Sequence, residues 1–501
     1  MAGVSAPAAP AATAPAAAPP APVAPAPAPA REPAAGPPPE VVRTPAAAVA
    51  PPLEALRGSA SAALARGLQG VSAERLKDDL AALVGFGTRH TLSDQADDRR
   101  GIGAAARWLR ERFEGTAQGR VAVIMHTFTQ PPTVRVPREV TMTNVLAVLP
   151  SAAMRAAGRA VASLDDLAGE PQVWVLGHYD SRATDPLDAT SDAPGANDNG
   201  SGTVALLEIA RALGGLDLDA TVVLAATVGE EQGLLGAARL ASDAARLGLP
   251  IVGVLNMDIV GDPTGHVGPD GVRVRDEGRV RVFSQGLTRR LTIEQVSAIR
   301  DTAAESDSPS RQLARFVRSI GPQAAALGSV EPLLIFRADR YLRGGDHLPF
   351  GDEGFPAVRF VNVPERYERQ HQDVRQGPDG QAIGDLPQYV DYQYLARVVR
   401  LVAASAVALA QSPRPPRRVV MLTRQLANDT TLRWEPSPSP DVAGYEVVYR
   451  ATTEHDWTAA FDVGNTATAR VPVSKDDFQI GVRAYDAEGN RGPVTFATAG
   501  R

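Results

Sequence analysis

The sequence predicts an α/β protein: a mostly parallel mixed sheet covered by helices on both faces, followed by a small C-terminal all-β sandwich. Three observations predict it. Four short apolar runs, 173–176, 221–226, 251–255 and 357–361, alternate with segments of helical spacing. Unbroken apolar runs are typical of strands buried on both faces, and their alternation with helices is the pattern of a largely parallel sheet. Five oxygen or imidazole donors, His178, Asp198, Glu231, Asp258 and His371, fall at or just past the ends of predicted strands. In such sheets the ligand crevice lies beyond the carboxyl ends of the strands. After Pro416 the pattern changes to two-residue alternation, at 431–434, 445–449 and 478–485, broken by Asp441, Gly444, Gly464-Asn465 and Gly489-Asn490. Alternating runs separated by turn residues predict a β-sandwich over 417–501.

The elements follow in order. Residues 1–52 are almost wholly Ala and Pro, as in Ala17-Ala18-Pro19-Pro20. They cannot bury a core and read as a disordered tether of polyproline character. Leu76, Leu80, Leu83 and Val84 repeat at helical spacing after a cap at Ser72, and Ala105, Trp108, Leu109 and Phe113 do the same. Strand-like runs come at 121–124 and 144–149. Residues 263–345 interrupt the strand–helix rhythm with a strand at 280–283, a helix at 311–320 and many Arg and Asp. They read as an insertion near the mouth of the site. A helix over 394–410 closes a domain spanning 53–411, and Ser412-Pro413-Arg414-Pro415-Pro416 punctuates it.

The 501 residues carry a formal charge of −6 and no cysteine. The length suits two or three domains. The charge, without a basic stripe, gives no reason to expect nucleic acid. Disulfides, thiolate metal sites and cysteine nucleophiles are excluded. No window holds 18 uninterrupted apolar residues. The best, 401–410, is Ala-rich and flanked by Arg397 and Arg400, as an amphipathic core helix would be. No signal peptide is visible in the sequence as given. The sequence holds no Gly-x-Ser-x-Gly elbow, His-Glu-x-x-His helix or phosphate loop.

The chemistry lies in the strand-end motifs. In Gly177-His178-Tyr179-Asp180 a histidine leaves the first buried strand, with a carboxylate two residues on that could hold its second ring nitrogen. Gly195-Ala196-Asn197-Asp198-Asn199-Gly200-Ser201-Gly202 is a small-residue loop ahead of a helix. In Val228-Gly229-Glu230-Glu231 two adjacent carboxylates follow a buried strand, which is costly unless a cation receives them. One can bind metal while its neighbour takes a proton from water. Asn256-Met257-Asp258 offers a fourth donor. The last donor is His347, in Gly345-Asp346-His347-Leu348, or His371, in Arg369-Gln370-His371-Gln372-Asp373; spacing does not choose between them. Arg337, Arg340, Arg343 and Arg359, near these motifs, are expected chiefly as surface ion-pair partners and could meet a substrate carboxylate.

In their order and spacing, 177–180, 194–202, 229–236, 256–258, 346–350 and the segment around His371 resemble the M28 family of zinc peptidases, over roughly residues 70–410. The resemblance implies a zinc-exopeptidase-like fold and two Zn2+ ions, with Mn2+ or Co2+ as substitutes. One ion would be held by His178 and Asp258, the other by Glu231 and His371, with Asp198 bridging them. It implies Glu230 as general base, Asp180 as the group orienting His178, and Asp346 and His347 near the substrate. It favours His371 over His347 as the fifth ligand, and it implies a cis peptide after the bridging Asp198. The run His371-Gln372-Asp373 departs from the His-Thr that many members carry. An aminopeptidase acting on peptide substrates is the activity it favours. A carboxypeptidase, a glutaminyl-cyclase-like enzyme and a non-catalytic binding protein on the same fold stay open. Trp434, Gly444-Tyr445 and 478–486 resemble a fibronectin type III domain, which could contact a surface or polymer. That module and the tether lead to the expectation of an extracytoplasmic enzyme, periplasmic or secreted.

Overall fold

A computed structural model describes residues 59–500 except 117, 118, 379 and 425. The tether expected over 1–52 lies outside the described residues. Three helices come first: α1 (Ser59–Gln69), α2 (Ala73–Val84) and α3 (Gly101–Glu114). Ser72 caps α2 as its sequence predicts, its Oγ accepting the Arg75 N–H at 3.2 Å.

Eight strands form the main sheet: β1 (Ala122–Gln130), β2 (Val140–Leu149), β3 (Gln172–His178), β4 (Thr221–Thr227), β5 (Ile251–Met257), β6 (Arg279–Ser284), β7 (Glu331–Ile335) and β8 (Ala357–Asn362). Their order is β1-β2-β4-β3-β5-β8-β6-β7. Each of the four apolar runs is a strand, and these four are the adjacent, mutually parallel centre of the sheet. Every residue of β3 and β4 is buried. The sheet as a whole is more mixed than the sequence predicts. Three of its seven pairings are antiparallel: β1 with β2, β2 with β4, and β8 with β6. The segment 263–345 is part of the reason. It donates β6, over the strand expected at 280–283, and β7, which together cover the edge that β8 would otherwise expose.

Helices α4 (Ser201–Leu213), α5 (Leu235–Arg246), α6 (Pro309–Ala326) and α7 (Tyr392–Gln411) complete the layers. One face of the sheet packs with α1, α2, α3, α4, α6 and α7 around Leu206, Val317, Val399 and Leu409. The other packs with α5 around Trp174, Leu240 and Phe350. Helix α7 is, among the described residues, the one helix long and apolar enough to cross a membrane, but its length is mostly buried in the protein. Asp391 caps it, accepting the N–H groups of Gln393 and Tyr394 at 3.1 and 3.0 Å.

The C-terminal strands are β9 (Arg417–Leu422), β10 (Thr430–Glu435), β11 (Val442–Ala451), β12 (Ala459–Gly464), β13 (Thr468–Val471), β14 (Phe478–Asp486), β15 (Thr495–Phe496) and β16 (Thr498–Gly500). They make two four-stranded sheets, β13-β10-β9-β16 and β12-β11-β14-β15. All the pairs are antiparallel except β9 with β16. Trp434 and Tyr445 lie in their shared core with rings 5.5 Å apart.

The second of these sheets is joined to α6 by buried charge. Asp307 receives Arg315 at 3.1 Å and Arg450, from β11, at 2.7 Å, and all three side chains are almost fully buried. Trp457 donates to Gln312 Oε1 at 3.0 Å and lies under both guanidinium groups. Removing the shared anion leaves two cations without it in a dry contact. Asp307→Ala is therefore expected to cost about 3–5 kcal/mol, read as a lower midpoint in urea or thermal unfolding. An unchanged midpoint would show that this junction contributes little.

Candidate active site

The site is built at the carboxyl ends of β3, β4 and β5. His178 is the last residue of β3, Glu230 and Glu231 follow β4 by three and four residues, and Asp258 follows β5 directly. Asp198 lies in the turn Ala196–Gly200 that leads into α4. That helix can start against the sheet because of glycine. A Cβ on Gly202 would stand 2.4 Å from the Met257 carbonyl oxygen, and one on Gly177 would stand 2.9 Å from the Gly202 backbone. The small residues thus let backbone meet backbone. Asn199 fixes the turn to β5 by donating to the Met257 carbonyl and accepting from Gly202 N–H, both at 2.9 Å. The Asp198–Asn199 peptide is cis, as the resemblance implies.

The five donors converge. His178, Glu230 and Asp258 form one cluster, and Asp198, Glu231 and His371 a second, each with its ligand atoms within 4.8 Å of one another. Asp198 faces both. Its Oδ1 is 3.3 Å from His178 Nε2, and its Oδ2 is 3.0 Å from His371 Nε2. His178 Nε2 is 3.6 Å from Asp258 Oδ1, and His371 Nε2 is 3.1 Å from Glu231 Oε1. His178 Nε2, Glu231 Oε1 and Asp258 Oδ1 are buried without a hydrogen-bond partner. Buried polar atoms are normally paired, so three orphans converging in an all-nitrogen and oxygen donor set fit zinc.

Of the two candidate fifth donors, the fold brings His371 to the cluster. His347 is 1 % exposed, and its Nε2 donates to the Ala338 carbonyl at 2.7 Å. Asp346 is fully buried, bonded to Thr227, and held up to about 7 by burial, with Asp180 and Asp258 adding to it against His178. The expectation that Asp346 and His347 contact substrate is not met by this geometry: both stand behind the wall of the cleft. Asp180 does more than the sequence suggests. Its Oδ1 is 3.5 Å from His178 Nδ1, while its own backbone carbonyl is nearer, at 3.2 Å. Its carboxylate also accepts the N–H groups of Glu230 at 3.3 Å and Glu231 at 3.1 Å, tying the two strand ends together.

Burial pushes the Glu230 carboxyl well up, and the charges of Asp258, Glu231 and Asp346 add to this against the pull of His178. Burial would also raise Asp198, but contacts with His178 and His371 outweigh it and hold that carboxyl well down. The two acids are thus driven apart: one readily takes a proton and the other stays ionised.

Sequence reasoning missed the placing of four supporting residues. Arg359, expected on the surface, is 1 % exposed and pairs with Asp258 at 2.9 Å and Asp339 at 2.7 Å. Its signal was a lone charge inside the apolar run 357–361. Arg340 is likewise largely buried, between Asp339 and Glu365. Arg182 donates to Glu231 Oε2 at 3.0 Å and to His371 Nδ1 at 2.7 Å. Asp385, buried and raised to about 7 by that burial, accepts the N–H groups of Asn197 and Asp198 at 2.9 and 2.6 Å. It lies 187 residues from Asp198 in a loop, and nothing in the sequence points to it.

The family model for peptidase family M28 matches residues 160–406. A "Probable zinc metalloprotease" from Leptosphaeria maculans is 39% identical over 435 residues, covering 86% of this chain and 95% of that protein. The chain belongs to peptidase family M28. As a member it is a peptide-bond hydrolase. Another "Probable zinc metalloprotease", from Pyricularia oryzae, is 40% identical over 447 residues, covering 88% of this chain and 85% of that one. Among solved structures, the Legionella pneumophila LapA aminopeptidase superposes with a TM-score of 0.46 at 16% identity, covering 71% of this chain and 77% of that one. A Fimbriiglobus ruber glutaminyl cyclase superposes with a TM-score of 0.46 at 18% identity, covering 67% and 95%.

Arg359 is the cation between two buried carboxylates in this M28 peptidase. Arg359→Met should destabilise the metal-free protein by about 3–5 kcal/mol, measured by denaturant titration. A loss below about 1 kcal/mol would mean that Asp258 and Asp339 find other partners.

Proposed function

We propose that the protein is a zinc-dependent aminopeptidase whose site holds two ions, one by His178 and Asp258, the other by Glu231 and His371, with Asp198 shared. The observation that carries this reading is the orientation of Asp198, one oxygen towards each cluster. Zinc, when bound, supplies Lewis acidity to water and to the scissile carbonyl. The chain's own residues do the rest. Glu230 lines the cleft beside both clusters and is the general base. From there its carboxylate can take a proton from the attacking water and pass it to the leaving amine. Asp180 holds the backbone of Glu230 and Glu231 in register with His178. Arg182 steadies Glu231 from the other side by donating to its Oε2.

The C-terminal β-sheets are read as a fibronectin type III-like module. The proposed setting is extracytoplasmic, and surface or polymer contact through that module is part of the proposal.

Glu230→Gln tests the base. It should keep the zinc content of the unaltered protein by elemental analysis and lose activity on aminoacyl anilides by roughly a thousandfold or more. Near-normal turnover would remove Glu230 from the role. A chelator should abolish activity and added zinc restore it. Cleavage that survives chelation with no zinc left on the chain would remove the metal from the reading.

A further inference from the structure

The cleft in front of the two clusters has a volume of about 360 Å3. Five arginines line it: Arg135, Arg182, Arg340, Arg343 and Arg359. Three are spoken for by carboxylates. Arg182 has Glu231, Arg340 has Asp339 and Glu365, and Arg359 has Asp258 and Asp339. The other two differ in kind. Arg135 sits at the tip of the tight turn between β1 and β2, where Thr133 and Val136 exchange backbone hydrogen bonds at 2.7 and 3.2 Å. Its Nη1 donates to the Glu231 carbonyl oxygen at 2.8 Å. Arg343 follows β7. Its Nη1 donates to the Gln370 Oε1 at 3.1 Å, and its guanidinium lies 5.0 Å from the centre of the Tyr367 ring. Both are exposed side chains held in place by neutral groups, and neither is ion-paired to a carboxylate among the described residues.

An arginine anchored by one nitrogen keeps N–H donors free, and its planar fork matches a carboxylate. Each of the two also has an apolar neighbour facing solvent, Val134 beside Arg135 and Leu342 beside Arg343, 93% and 90% exposed. Leu342 lines the cleft as well. Cationic tips with apolar shoulders suit a peptide that brings a negative charge into the cleft.

We propose that Arg135 and Arg343 are specificity-determining residues that receive a carboxylate of the substrate, so that the enzyme prefers peptides carrying a negative charge next to the scissile bond. This rests on the peptidase reading above. The carboxylate has two possible sources: an acidic side chain preceding the scissile bond, or the terminal carboxylate of a dipeptide.

The test uses the full zinc-loaded chain and matched substrate pairs. Glutamyl anilide is compared with glutaminyl anilide, and leucyl-leucine with leucyl-leucinamide. The charged member of at least one pair should have the higher kcat/KM, by roughly tenfold to a hundredfold, expressed mainly in KM. Preference in the first pair assigns the carboxylate to the side chain, and preference in the second assigns it to the terminus. In Arg135→Gln and Arg343→Gln the preference should shrink about tenfold. Equal rates within both pairs, or a preference that both variants retain, would overturn the inference. Calorimetric binding of glutamate against glutamine separates it from the peptidase reading. If no substrate is cleaved, that reading fails, while tighter glutamate binding that is lost in Arg343→Gln still supports a carboxylate site. Equal binding of the two that Arg343→Gln leaves unchanged would count against it.

Discussion

Four carboxylates, Asp198, Glu230, Glu231 and Asp258, share one cleft at the end of a buried sheet, and the repulsion among them is the constraint to which the surrounding structure answers. Gathering like charges away from water costs several kcal/mol per ion unless cations and donors offset it. The protein provides these on three sides. Arg359 sits behind Asp258, Arg182 beside Glu231, and His178 and His371 lie between the acids. The orphaned Nε2 of His178 and the orphaned oxygens of Glu231 and Asp258 mark where this compensation stops.

The fold provides rigidity for that arrangement. Three parallel strands end at the same level, and the close backbone approach at Gly177 and Gly202, with the Asn199 side chain, locks the Asp198 turn against β3 and β5. Asp385 and Arg89 hold the same turn from outside. Asp385 accepts from its N–H groups, and Arg89 donates to the Tyr179, Pro194 and Gly195 carbonyls at 2.7, 2.6 and 3.0 Å. A donor set that must act within a few tenths of an ångström is thereby carried on strand ends and pinned loops. The segment 263–345 serves the same end. It widens the sheet with β6 and β7, then returns along the cleft carrying Arg340 and Arg343.

Much of this was legible in the sequence, for a local reason. A strand buried on both faces announces itself as an apolar run, and a polar residue at its end is conspicuous. His178, Glu231 and Asp258 stand out that way, and Asp198 stands out through its small-residue loop. What was not legible depends on distance along the chain. The pairing of β6 with β8 is non-local, so the sheet reads as more parallel than it is. Asp385 comes to Asp198 across 187 residues. Arg359 was visible as a charge in an apolar strand, but its partners Asp258 and Asp339 lie on other elements, so its burial did not follow from its neighbours. The choice between His347 and His371 needed the fold, because one precedes β8 and the other follows it, and spacing does not say which turns towards Asp198.

The central claim is that Asp198 stands between two ions. Crystals grown with zinc, with data collected on both sides of the zinc absorption edge, test it most directly. The account predicts two anomalous peaks, one within bonding distance of His178 and Asp258 and one of Glu231 and His371, with Asp198 contacting both. A single peak, or two peaks that Asp198 does not join, would contradict it.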